Sequence, residues 1–163
     1  MFAPGIETLA RTVVENAARR SLTIAAAESC TGGLVAGALT SVAGSSAVVE
    51  RGFVTYSNAA KTGMLGVPSE LIDRHGAVSE AVARAMAVGA LKHSAADLSV
   101  AVTGIAGPGG GSEAKPVGLV HFAAAGPGGV IHVERRFGEI GREAVRLDSV
   151  RVALRLLLDR IDA

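Results

Sequence analysis

The chain predicts an α/β protein, a three-layer α/β/α sandwich built on a mixed, mostly parallel sheet with a C-terminal hairpin. Three observations carry this. Apolar runs of strand length alternate with stretches whose apolar residues recur at i, i+3 and i+4, the pattern of strands separated by amphipathic helices. The run Leu22 to Ala27 stops at Glu28-Ser-Cys-Thr-Gly-Gly33, and a second apolar stretch, Leu34 to Leu39, follows at once. A buried strand emptying onto a turn that opens a helix has this form. Near the end, two strand-like runs flank Gly126-Pro-Gly-Gly129 and read as a hairpin.

Each element follows in order. Ile6, Leu9, Ala10, Val13, Val14 and Ala17 define an amphipathic helix ending near Arg20. A strand over 22–27 and a helix from about Thr31 to Ser41 come next. Gly44-Ser-Ser46 breaks the chain before a strand from Ala47 to Tyr56 containing Val48, Val49, Phe53 and Val54. A short helix spans Ala59 to Leu65. Pro68 suits the first turn of another, which Gly76 ends. Ser79 caps a strong helix running to about His93, and Leu98 to Thr103 is a short buried strand. The glycine-rich segment Gly104 to Gly111 precedes the hairpin strands Val117–Ala123 and Val130–Phe137. The last helix runs from Gly141 to about Asp159.

Length and composition narrow the function. At 163 residues the chain fits one domain (1–163), long enough to bury a real core. The net charge is +1, no basic tract appears, and four Phe, one Tyr and no Trp offer little for base stacking, so no nucleic-acid partner is expected. A single Cys excludes an internal disulfide and suits a reducing compartment. The N-terminus lacks the pattern of a signal peptide, and no stretch approaches about 18 uninterrupted apolar residues. These features predict a cytoplasmic protein with no membrane span. Its apolar, glycine-rich composition leads us to expect a homo-oligomer.

The strand–turn–helix junction is the first candidate site. The first N–H groups of a helix lack intrahelical partners and carry partial positive charge. Two glycines let a ligand approach the backbone, which makes a seat for an anion or a developing oxyanion. The same residues also read as an ordinary turn with Ser29 or Thr31 as helix cap. The only tyrosine lies in Tyr56-Ser-Asn-Ala-Ala-Lys61, so Tyr56 closes a strand and Lys61 falls one turn into the next helix. Both can face the crevice at the strand ends, where a lysine in a partly apolar site becomes a usable base for a serine hydroxyl. Taken singly, Tyr56 also reads as a packing residue and Lys61 as a solvated charge, since lysines are mostly exposed.

Thr103-Gly104 ends a buried strand on the same sheet edge and should line the pocket. Arg142 and Arg146 share a helix face and can clamp a phosphate, whereas Arg151, Arg155 and Arg160 read as a solvated basic face. Cys30 has no base near it in sequence to generate a thiolate. His121 and His132 oppose each other if the hairpin turns on Gly126-Pro127, and a one-residue shift separates them. Two histidines without a third ligand make a poor zinc site, so no metal is expected. Other motifs fail on spacing. Tyr56 and Lys61 are five apart, not four as in short-chain dehydrogenases, and the glycine stretch lacks the Lys-Ser/Thr ending of a P-loop. Ser112-Glu-Ala-Lys115 and Lys61-Thr-Gly63 occur in the reverse of β-lactamase order.

Together, Ala27-Glu-Ser-Cys-Thr-Gly-Gly33, Gly52-Phe-Val-Thr-Tyr-Ser-Asn58 with Lys61, Gly76-Ala-Val-Ser79, Thr103-Gly-Ile-Ala-Gly-Pro-Gly-Gly110 and Lys115-Pro-Val-Gly118 resemble the CinA C-terminal family. That family comprises the nicotinamide-nucleotide amidohydrolases. The resemblance runs from about Ser21 onward with its motifs in order, and it is to the stand-alone form without the additional N-terminal domain of larger members. It implies cofactor-free hydrolysis of nicotinamide mononucleotide to nicotinic acid mononucleotide and ammonia. By the same resemblance Ser29, Tyr56 and Lys61 are catalytic. Backbone N–H groups of Thr31, Gly32 and Gly33 would hold the oxyanion, and Thr103, Gly104 and Arg142 the ribose phosphate. Where the family usually has Gly-Asp-Arg, this chain has Ile140-Gly141-Arg142. The competing expectation is a non-catalytic nucleotide-binding or interaction module using the same pocket.

Overall fold

The strand with the most continuously apolar sequence sits in the middle of the parallel part of the sheet. In a computed structural model describing residues 1–163, β1 (Ile24–Glu28) is buried along its whole length. It pairs in parallel with β2 (Val49–Val54) on one side and with β3 (Leu98–Gly104) on the other. Burial on both faces is what a run without polar alternation requires. β4 (Leu119–Gly126) lies antiparallel to β3, and β5 (Gly129–Arg136) antiparallel to β4. The order is β2-β1-β3-β4-β5, so β4 alone opposes the other four strands.

Helices cover both faces. α1 (Pro4–Arg19), α2 (Leu34–Thr40) and α6 (Arg142–Asp162) pack on one side. There Val13, Val35, Leu39, Leu154 and Leu157 meet the larger strand residues Ile24, Val100, Val102 and Phe122. α3 (Asn58–Leu65), α4 (Ser69–His75) and α5 (Glu80–Lys92) cover the other side, where the strands present Ala25, Ala27, Ala101 and Ala123. Small residues on that face let α5 lie close to the sheet, and Ser99 Oγ donates to the Ala87 carbonyl at 2.7 Å. The three-layer sandwich is as expected.

Boundaries moved where backbone conformation overrides hydrophobicity. The helix expected from Thr31 begins only at Leu34, because Gly33 is left-handed (φ 102°) and residues 30–33 form a turn. The strand expected from Ala47 loses its start to a 3₁₀ turn over Ser45–Ala47. Ser79 does cap α5, its Oγ accepting the Val82 N–H at 3.2 Å. The hairpin centres one residue later than the register that would set His121 opposite His132: Gly126 pairs with Gly129, and His121 with Glu134. The two imidazoles still meet on the diagonal, His121 Nδ1 to His132 Nε2 at 2.9 Å. No helix is long and apolar enough to cross a membrane.

Candidate active site

Because β1, β2 and β3 run in parallel, their carboxyl ends lie on one edge of the sheet. β1 connects outward to β2, and the chain then returns past β1 to form β3, which opens a crevice at that edge. Ser29 and Tyr56, just past the ends of β1 and β2, and Gly104, the last residue of β3, line a cavity of about 280 Å³. Six sequence-predicted site residues line it: Ser29, Tyr56, Lys61, Thr103, Gly104 and Arg142. Thr31, Gly32 and Gly33 do not.

Lys61 decides the chemistry. The solvated reading is wrong for it: the residue is 1% exposed, among the largest fully buried side chains. Ser57 Oγ accepts the Ala60 N–H at 3.0 Å and so starts α3, which aims Lys61 back under the strand ends. Its Nζ donates to Ser29 Oγ at 3.0 Å and to the Thr55 carbonyl at 2.9 Å. Burial pushes the ammonium pKa below the usual lysine value, which favours the neutral amine that can accept a proton. Cys30, though it lines the same cavity, goes the other way: burial pushes its thiol up to about 12, so it stays protonated and weakly nucleophilic.

Tyr56 is no packing residue. It is 62% exposed, and its hydroxyl accepts a hydrogen bond from Arg142 Nη2 at 2.8 Å. Arg142 also donates through Nη1 to the Gly107 carbonyl at 2.9 Å, spanning from β2's end to the glycine loop. With Gly141 (φ 100°) before it, Arg142 enters the cavity as the first residue of α6. Thr103 Oγ1 is turned to the Ala77 carbonyl at 2.9 Å, which ties the loop before α5 to the cavity wall.

Two residues at this edge have roles that sequence reasoning missed. The anion at the start of α2 belongs to the protein: Glu28, 1% exposed, accepts the N–H of Val35 through Oε1 at 2.8 Å and that of Ala36 through Oε2 at 3.0 Å. Neither Ser29 nor Thr31 is the cap. Arg146 does not join Arg142 in a clamp. Its Nε donates to the Cys30 carbonyl at 3.0 Å and its Nη2 to the Thr31 carbonyl at 3.3 Å. The turn after Ser29 is therefore gripped from both ends. Gly32 donates to the Ser29 carbonyl at 3.0 Å, so its N–H is committed, while those of Cys30 and Thr31 go to no backbone carbonyl. Glu28 was legible as an acid four residues before the first glycine, next to a helix start. Arg146 was legible only as a partner of Arg142 on one helix face, and its grip on the carbonyls of Cys30 and Thr31 had no local signal.

The Ser29–Lys61 contact and the strand-end cavity are accompanied by a family match. The model of the CinA C-terminal domain matches residues 6–161. The chain belongs to the CinA C-terminal domain family. A CinA-like protein of Synechococcus sp. (strain RCC307) is 54% identical over 157 residues, covering 96% of this chain and 38% of that relative. One from Anaeromyxobacter dehalogenans (strain 2CP-C) is 51% identical over 158 residues, again 96% of this chain and 38% of the relative. The chain thus spans less than two-fifths of these curated relatives. Among solved structures, the competence/damage inducible protein CihA from Agrobacterium tumefaciens is 55% identical with a TM-score of 0.97, covering 100% of this chain and 99% of that one. A CinA superfamily protein from Escherichia coli is 36% identical with a TM-score of 0.91, covering 98% of this chain and 94% of that one.

Proposed function

We propose that this CinA-type protein is an amidohydrolase that converts nicotinamide mononucleotide to nicotinic acid mononucleotide and ammonia. The observation that carries the reading is the buried Lys61 Nζ at 3.0 Å from Ser29 Oγ, at the wall of a cavity. A neutral amine there is a general base placed on a nucleophile. Ser29 Oγ attacks the carboxamide carbon as its proton passes to Lys61, and the oxyanion of the tetrahedral intermediate accepts from the N–H of Cys30, which lines the cavity and goes to no backbone carbonyl. The C–N bond then breaks as Lys61 returns the proton to the departing ammonia. Water, deprotonated by Lys61, attacks the acyl-enzyme, and Ser29 leaves as its hydroxyl.

Arg142, held by Tyr56, offers its remaining N–H donors to the ribose phosphate beside Thr103 and Gly104, since a guanidinium fork matches phosphate oxygens. No cofactor enters these steps, and the only partner they need is the nucleotide, acted on in the cytoplasm by a homo-oligomer.

Ammonia release from nicotinamide mononucleotide tests the reading. Turnover by the wild type that falls at least about 10³-fold in Ser29→Ala supports it, since a covalent nucleophile carries a large share of rate. An inert wild type that still binds the nucleotide leaves the binding-module function in its place.

A further inference from the structure

A second cavity lies at the other end of β1 and β3. About 380 Å³ in volume, it is lined by Arg20, Leu22, Leu98, Pro127, Arg160 and Ile161, with Gly128 and Ala163 completing it. β3 runs seven residues from Leu98 to Gly104. At about 3.3 Å per residue, that puts this cavity roughly 20 Å from the Ser29 site.

Arg160 is not the solvated surface residue that its place in the sequence suggested. It is half-buried, lies over the hairpin turn, and donates through Nη2 to the Gly129 carbonyl at 3.3 Å. A Cβ on Gly128 would stand 3.1 Å from that nitrogen. Its Nε is buried without a hydrogen-bond partner. Arg20, across the cavity, donates through Nη1 to the Ile161 carbonyl. A guanidinium has five N–H donors, so each arginine has donors to spare. No Asp or Glu side chain lies within ion-pair distance of either. The nearby Asp97 is committed to the N–H and Oγ1 of Thr23, at 2.8 and 3.0 Å.

Two uncompensated guanidinium groups above an apolar floor have a complementary ligand of definite chemistry. We propose that this cavity binds a small amphipathic anion, its carboxylate or phosphate head between Arg20 and Arg160 and its apolar body against Leu22, Leu98 and Ile161. The buried Nε gains the partner it lacks, and a charge-assisted fork repays its desolvation. The volume falls in the lower range of small-ligand sites. The site is separate from the proposed amidohydrolase reaction and does not depend on it.

Butyl phosphate is the probe, titrated at low salt against ¹⁵N-labelled protein with amide shifts as the readout; inorganic phosphate and butyrate serve as comparisons. The proposal expects saturable shifts at Leu22, Gly128 and Gly129 while Ser29, Gly104 and Gly107 stay put or follow a separate curve. It expects affinity there to fall about tenfold or more in Arg160→Gln and in Arg20→Gln, and to be unchanged in Arg142→Gln. Butyl phosphate and butyrate should both bind tighter than inorganic phosphate, and their ranking names the preferred head. Because Arg160 also holds the hairpin turn, Arg20→Gln keeps the test decisive if Arg160→Gln does not fold. No saturation at the distal amides, equal affinity in both arginine variants, or loss in Arg142→Gln overturns the proposal.

Discussion

Lys61 is a charged residue type kept out of water with a hydroxyl and a carbonyl as its partners and no carboxylate to pair with. Desolvation of that kind is unfavourable to the fold and useful to a reaction, a familiar stability–activity conflict. Its folded pKa lies below its unfolded value of about 10.4, so the native state binds this proton less tightly. Stability should therefore be full above the unfolded pKa and decline as pH falls through the folded one. Lys61→Met should abolish ammonia release while raising the melting temperature at pH 7 by about 2–4 °C, the equivalent of about 1 kcal/mol. In the wild type kcat/KM should rise with pH along a limb set below 10.4. A flat profile, or a Lys61→Met protein less stable than the wild type, contradicts this account. The residue types at Ser29, Tyr56 and Lys61 were readable from sequence, but the burial of Lys61 was not. Single-residue statistics put lysines outside, and only α3's direction puts this one inside.

At the scale of elements, two contacts hold Ser29 and Lys61 in register. The first is Glu28 on α2. Glu28→Gln keeps the shape but removes the charge from the helix start, and it replaces one carboxylate oxygen by a donor facing an N–H. We expect a loss of about 1–2 kcal/mol in a denaturant titration. Because the turn that carries Ser29, the proposed nucleophile, depends on this cap, kcat should fall with KM little changed. The second is the crossing of α3 and α5. A Cβ on Gly89 would stand 2.0 Å from the Leu65 carbonyl oxygen at the end of α3. Alanine gains about 1 kcal/mol in helix propensity, but a backbone clash of that depth forces α3 away and costs more than that gain. Gly89→Ala should thus be net destabilising by about 1–3 kcal/mol and slow the reaction, because α3 carries Lys61. A neutral or stabilised variant would show that the two helices can slide. Helix and strand identities were legible from periodicity and capping residues. The late start of α2 was less so, since Thr31-Gly-Gly33 is compatible with a helical turn until Glu28 takes the N–H groups of Val35 and Ala36.

Across the whole molecule, the hairpin closes the sheet against α5, and the His121–His132 contact is its polar seam. Glu134 faces His121 from β5, Glu80 and Arg84 face the pair from α5, and Lys115 approaches from the glycine-rich loop. Burial pushes both imidazoles below the usual histidine value. The pair therefore contributes stability that is full above about pH 6.5 and is lost as pH falls through the folded values. Thermal melts between pH 7.5 and 5 should show a steeper decline for the wild type than for His132→Gln; parallel curves would remove the pair from the acid response. The sequence alone determined the layered α/β class, the strand and helix order and the residue types gathered at the strand ends. Those depend on hydrophobic period, turn glycines and caps acting within a few residues. Only the tertiary structure decided that Lys61 is buried on Ser29, that Arg142 and Arg146 part company, that the hairpin shifts by one residue yet keeps its histidines together, and that Arg20 and Arg160 share a cavity. Each of these joins residues tens of positions apart or turns on a one-residue register, and a side chain's solvation is set by the packing around it, which local sequence does not encode.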